Sequence, residues 1–385
     1  MGVRIGCGLS TAAGGRSAAI DAAQIAAAGL GGRRADLAVV FASGAHLAAP
    51  EATLEGVREA IDPAALIGCG ASGVLGGERE IEEDTAVVVW VAALGGGSVE
   101  TFHATASEAG FEGIPSMVGA SGLIVLPDPY SFPTDKLLPR IHAEAPGVPV
   151  LGGLASGRTF DGTGALFLDE TVLESGMVGA RLEGVEMLPC VSQGAAPLGP
   201  ELTITRAEGH VIHELAGQPA LAKLREIFLE LDERERGLVD GGLLLGLVID
   251  AGKPEYEQGD FLVRGLLGGD PEAGSISVGA EVRTGQVVRL HARDAPSADR
   301  DLRDALRLRR TAMGGREPAG ALMFTCNGRG KGMFGIPDHD AETLATELGS
   351  VPTAGFFAAG EIGPVGGQSF LHGFTATIAV FPAAG

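Results

Sequence analysis

The sequence predicts an α/β protein of mixed α+β character, in which repeated β-α-β-β units form mixed sheets with helices packed on them, in a two-domain layered architecture. Three observations carry this. One short signature, Gly-x-x-Ala-Ser/Ala-Gly, occurs as GCGASG (68–73), GGLASG (152–157) and GFFAAG (355–360). Each copy follows a buried-strand pattern and a short amphipathic helix pattern. Glycine reaches 62 of 385 residues, about 16% against a usual ~7%, and is interleaved with Val, Ile and Leu rather than Ser and Pro. That composition suits tight turns in a β-rich globule rather than a linker.

The elements follow in order. LAVVFAS (37–43) and SGLIVLP (121–127) fall opposite each other at the 84-residue offset that aligns the first two signatures without a gap, and ALMFTC (321–326) precedes the third. The helix between strand and signature shows Leu54, Val57 and Ile61 on one face in the first unit and Leu137, Leu138 and Ile141 after Pro133 in the second. In the third, Leu344 and Leu348 follow Asp340 as the candidate N-cap. A further strand such as TAVVVWVAAL (85–94) completes the unit. Between the second and third units the pattern changes. Residues 174–208 read as short strands and turns, and Gln218 to Arg236 as one charged helix. GLLLGLVID (242–250), FLVRGLL (261–267), SISVGAEV (275–282) and QVVRLHARD (286–294) read as an antiparallel meander, followed by a helix over Ser297 to Arg310. A boundary at 240/241, where ERERG gives way to a continuous apolar strand, divides the chain into domains 1–240 and 241–385.

Composition removes several classes of function. The net charge of −21 opposes nucleic acid or an anionic membrane as partner. No run approaches the roughly 20 apolar residues of a membrane span, and the N-terminal segment lacks a secretory pattern. The four cysteines, Cys7, Cys69, Cys190 and Cys326, lie far apart. They read as reduced thiols in a cytoplasmic protein. His210 and His213 could share a helical turn but have no third ligand at metal spacing, so neither a metal nor any other cofactor is expected. GCGASG matches GxGxxG by letter, yet VLGGEREIEEDTAVVVWV leads into a strand, where a dinucleotide site needs a helix.

The C-terminal third holds the candidate site. TCNGRGKG (325–332) delivers Cys326 and Asn327 from a strand end, then sets Arg329 and Lys331 among Gly328, Gly330 and Gly332. Such a loop exposes backbone N–H groups, and an arginine can fork onto a carboxylate. GEIGP (360–364) puts Gly360 and Glu361 after the third signature, where a carboxylate needs a partner, and Arg329 is the natural one. Arg264, Arg293 and Asp294 raise the same question on the meander strands, and His372 on the loop before the last strand. A structural ion pair and a ligand clamp look alike at this level.

These residues also resemble a known family. FTCNGRG (324–330), GFFAAGEIGPVGGQSFLHGFTATIAVF (355–381) and FLVRGLLGGDPEAGSISVGAEVRTGQVV (261–288) resemble the C-terminal half of FIST (F-box and intracellular signal transduction) proteins. LAVVFASG through ALIGCGASGVLGGEREIEEDTAVVVWVA resembles the N-terminal half, so the resemblance covers roughly residues 36–381. It implies a stand-alone sensory module that binds small ligands, amino acids among them, with Cys326, Arg329 and Glu361 on the family's motif positions.

Three readings remain open. The first is a soluble cytoplasmic sensor of an amino acid or related metabolite, bound by Cys326, Asn327, Arg329, Gly330, Gly360, Glu361 and Arg264, and signalling through a protein partner or a homo-oligomer. The ligand carboxylate would lie on Arg329 and its ammonium near Glu361. In the second, Cys326 is the nucleophile of an enzyme with His372 as base. The third is a scaffold whose glycine-rich repeats only pack.

Overall fold

The computed structural model describes residues 2–239, 242–249, 252–253, 256 and 259–384. Asp240 and Gly241, on which the expected domain boundary falls, lie outside the described residues. The chain forms two compact units. The first comprises Met1–Val191, Leu302–Leu371 and Ala376–Gly385; the second comprises Ser192–Asp301 and His372–Thr375.

The three predicted units are real, and all build the first compact unit. In each, a strand, a helix and a second strand form a parallel pair: Leu37–Ser43, Pro50–Ile61 and Ala65–Ala71; Gly122–Pro127, Thr134–Glu144 and Val150–Gly153; Pro318–Cys326, His339–Leu348 and Thr353–Ala358. The strands are buried on both faces, as parallel pairs covered by helices require. In Leu37–Ser43, Leu37, Val39 and Phe41 enter one apolar cluster while Ala38, Val40 and Ala42 enter another. The first cluster is shared by all three sheets, with Phe41, Phe324 and Phe356 in contact at its centre, their ring centroids 4.8–6.3 Å apart. The helices cover the outer faces, through Leu54 and Val57, through Leu137, Leu138 and Ile141, and through Leu344 and Leu348.

The signatures end the second strands, and their first glycine has a steric cause. Gly68, Gly152 and Gly355 pair with Val40, Val125 and Met323 of the neighbouring strand. A Cβ at each would stand 2.1, 1.8 and 1.8 Å from the carbonyl oxygen of that residue. No other residue type fits that spacing.

After each signature comes a hairpin closed by two residues, at 77–78, 169–170 and 366–367, with positive φ at Gly77, Asp169, Gly366 and Gly367. These hairpins are exchanged in a cycle. The first, Val74–Gly76 with Arg79–Ile81, joins the edge of the third sheet through Val74 opposite Phe356. The second, Leu166–Leu168 with Thr171–Leu173, joins the first sheet beside Ala65–Ala71. The third, Glu361–Val365 with Gln368–His372, joins the second through Glu361 opposite Gly153. The chain then returns antiparallel to the first strand of its own unit, as Ala86–Ala93, Met177–Glu183 and Thr375–Pro382. The result is a pseudo-threefold arrangement in which no sheet is complete without another repeat.

The second unit departs from expectation in three places. The single helix expected over 218–236 is two, Ala220–Glu230 and Glu233–Val239, broken at Leu231 and Asp232. His210 precedes, and His213 lies on, the strand Val211–Leu215, so they do not share a helical turn. The meander holds for Leu243–Val248, Phe261–Asp270 and Ser275–Val278, but Val287–Arg293 pairs with Leu243–Val248 on the far side. Among the described residues no helix is long and apolar enough to cross a membrane, and no His/Cys/Asp/Glu group could hold a metal ion.

Candidate functional site

The three signatures meet in one place. Backbone bonds join every pair of them: Phe357 N–H to Gly73 O at 3.0 Å, Gly157 N–H to Gly70 O at 3.1 Å, and Leu154 N–H to Gly360 O at 2.8 Å. Their serines then form a polar node. Ser72 N–H donates to Ser156 Oγ at 2.9 Å, Ser156 Oγ donates to Phe357 O, and Ser72 Oγ donates to Asn327 Oδ1 at 2.7 Å. The third copy carries Ala359 at the serine position, and Asn327, from the end of the adjacent strand, supplies the third polar side chain of the node instead. Ser72 and Asn327 are exposed, and Ser156 and Cys326 half-buried. Cys326 Sγ accepts the Gly328 N–H at 3.4 Å.

Beneath this node lies a charged layer. Arg329, 2% exposed, donates through Nε to Asp340 Oδ2 at 2.6 Å and through Nη2 to Oδ1 at 2.8 Å. Asp340 also accepts from Thr325 Oγ1 at 2.7 Å, and His339 Nδ1 lies 3.0 Å from its Oδ1. His339 stacks on Phe334, whose ring centroid is 5.1 Å from Arg329 Cζ. Burial alone would lower the pKa of Arg329, but the charge and hydrogen bonds of Asp340, with the charges of Cys326 and Glu361, raise it. Burial pushes Asp340 up, and Arg329 overcomes this and holds it well below the usual carboxylate range.

Arg329 therefore has its bidentate partner within the chain, and the atom beyond that pair, Nη1, makes no hydrogen bond and is buried. Asp340 is not the N-cap. It is the second residue of helix His339–Leu348, whose N-cap is Asp338 at φ 61°, because the side chain of Asp340 is drawn to Arg329 instead. Lys331 is exposed, and its backbone N–H, not its ammonium, makes the specific contact, to Glu82 Oε1 at 2.8 Å. Gly330, at φ 69°, has that carboxylate 2.6 Å from where a Cβ would stand, so only glycine fits. Gly360 closes the third signature, and Glu361 beside it is fully buried.

The structure thus brings Cys326, Asn327, Arg329, Gly330, Gly360 and Glu361 together in the first compact unit. Arg264 and His372 belong to the second unit. Arg264 lies opposite Leu245 and donates to Val263 O at 3.0 Å, and His372 is buried. Sequence reasoning missed Ser72, Ser156 and Glu80, and saw Asp340 only as a cap. The serines had a readable signal, since they recur at one position of an aligned repeat.

Family models match most of the chain. The FIST N domain matches residues 36–218 and the FIST C domain residues 220–364. The uncharacterized protein Rv0628c of Mycobacterium tuberculosis (strain ATCC 25618 / H37Rv) is 46% identical over 384 residues, covering 98% of this chain and 100% of its own. The uncharacterized protein Mb0898c of Mycobacterium bovis is likewise 46% identical, with 98% of this chain and 99% of its own covered. The two matched domains span most of the chain, from the first repeat to the start of the third hairpin, and the chain belongs to the FIST family, whose domains are associated with signal transduction.

Proposed function

We propose that the protein is a sensory module that binds a small metabolite, an α-amino acid or a related amine-bearing molecule, over the Ser72–Ser156–Asn327 node. The observation that carries this reading is the convergence of three strand ends on exposed hydroxyl and amide groups above a buried charged layer. Loop backbone and short polar side chains at the meeting point of a rigid scaffold are the usual makings of a small-ligand site. Arg329 is matched by Asp340 within the chain, which leaves the hydroxyl and amide groups of the node to meet the polar groups of the ligand. The arginine supports the node from below rather than holding a ligand carboxylate with its fork.

A ligand at ~100 times its dissociation constant stabilises the folded protein by about 2.7 kcal/mol. A thermal-shift panel of amino acids and amines is therefore expected to contain a stabilising compound. Asn327→Ala should weaken its binding by about tenfold, the equivalent of one hydrogen bond at about 1.4 kcal/mol, with Lys331→Ala unchanged. Equal binding by Asn327→Ala and wild type would remove the node from the site. Arg329 and Glu361, at 2% and 0% exposure, also favour a second reading in which the charged layer only packs the repeats together. A panel without any shift supports that scaffold.

A further inference from the structure

The hairpin that the first repeat lends to the third sheet carries Glu80, 7% exposed, to the N-terminus of helix His339–Leu348. Its Oε1 accepts the N–H groups of Asp340 and Ala341, each at 3.0 Å, and its own N–H donates to Asp338 Oδ1 at 2.6 Å. Asp338 makes no cap bond to its own helix, so the cap comes from a residue about 260 positions away. Glu80 Oε2 is buried and makes no hydrogen bond.

The groups that face Glu80 leave it short of cations. Asp338, His339 and Asp340 come from the helix and its N-cap, Arg329 is bound to Asp340, and Glu82 follows the end of the strand Arg79–Ile81 that carries Glu80. The paired strand Val74–Gly76 and the next strand beyond it, Thr353–Ala358, bring no titratable side chain. Burial first, then the charge of Asp340, push Glu80 up to about 8, against the two amide bonds that pull it down.

We propose that Glu80 is a proton-operated latch between the first and third repeats: with a proton on Oε2 the hairpin closes on the helix, and loss of that proton opens the contact. Ionisation sets a second carboxylate against Asp340. Asp340 is anchored by Arg329 and Thr325, so the short hairpin, with three residues in each strand, is the part that yields. The attraction of a helix N-terminus for an anion opposes this, but it does not solvate the bare Oε2. The latch is independent of any ligand reading.

Amide hydrogen exchange on the whole chain tests it. From about pH 6.5 to about pH 9.5 the protection factors of the Asp340 and Ala341 amides are expected to fall by about tenfold or more, while those of Leu37–Ser43 hold. Glu80→Gln should abolish the fall, and Glu82→Gln should keep it. A flat profile in wild type, or the same fall in Glu80→Gln, overturns the proposal. Should Glu80→Gln not fold, difference infrared spectra of wild type serve instead. A protonated-carboxyl band that disappears over the same range supports the latch, and absence of that band at the acid end overturns it.

Discussion

Arg329→Ala is expected to destabilise the protein by about 3–5 kcal/mol, measured by urea unfolding at neutral pH. The reason lies in what stays behind. Asp340 is fully buried, and Arg329 supplies both of its strong charge-assisted bonds, leaving Thr325 and His339 as its remaining side-chain partners. An aspartate so placed must either remain ionised without its cation or take up a proton in a site built for the anion. Arg329→Lys should recover only part of the loss, because an ammonium cannot reproduce the planar fork. Replacing both partners, Arg329→Met with Asp340→Leu, should be milder than Arg329→Ala alone, since no buried charge is left over. A loss below about 1 kcal/mol for Arg329→Ala would mean that the pair is hydrated or rearranged.

The same pair fixes a sign in the pH profile. Asp340 has a depressed pKa in the folded state, so its stabilisation is present above the ordinary aspartate range and is lost as pH falls below it. Glu80 has a raised one, so the stability it confers is complete below the ordinary glutamate range and is lost as pH rises toward about 8. Urea midpoints for wild type should therefore decline on both sides. Asp340→Asn should flatten the acid limb, and Glu80→Gln the alkaline one. A wild-type curve with no alkaline decline would contradict the burial of an ionisable Glu80.

Gly355→Ala should be nearly as damaging, at about 3 kcal/mol or more. Its Cβ would stand 1.8 Å from Met323 O, and the obstacle is the backbone of the paired strand, which no rotamer can relieve. That strand leads to Cys326 and Asn327, so the shift would reach the polar node as well. Gly68→Ala and Gly152→Ala meet Val40 O and Val125 O in the same way and should lose comparable stability. Gly332→Ala is the control. It lies in the short helix Lys331–Phe334 with nothing within 4 Å of its Cβ position and should cost no stability, or gain up to about 1 kcal/mol from helix propensity. Urea midpoints for the four variants decide the matter, and a near-neutral Gly355→Ala would show that the parallel pair can separate locally.

Much of this was legible in the chain itself. LAVVFAS, GLIVLP and ALMFTC read as buried strands, and Leu137, Leu138 and Ile141 as a helix face, because continuous apolar runs and helical spacing are local patterns, set within a few positions. The signature was legible as a repeat for a related reason: three parallel pairs of one geometry demand the same small residues at the same step. The amino-acid sequence by itself thus determined the β-α-β units, their number and the place where their strands end.

What only the tertiary structure decided is which repeat each hairpin completes and which carboxylate Arg329 takes. By sequence, Glu361 was the natural partner for Arg329 and Asp340 only a helix cap, since any carboxylate satisfies the same charge and spacing does not say which one the guanidinium meets. Packing chose between them. The helix after the Gly loop carries Asp340 to Nε and Nη2 of the guanidinium at 2.6 and 2.8 Å, and the charge of Glu361 adds to its effect on the arginine. The same holds for Ser72 and Asn327, 255 positions apart and 2.7 Å from each other. Local patterning carries no information over that separation. A hairpin whose own sheet already has an edge strand lent by another repeat pairs with the next open edge, and that exchange sets the serines, the amide and the buried charges around one point.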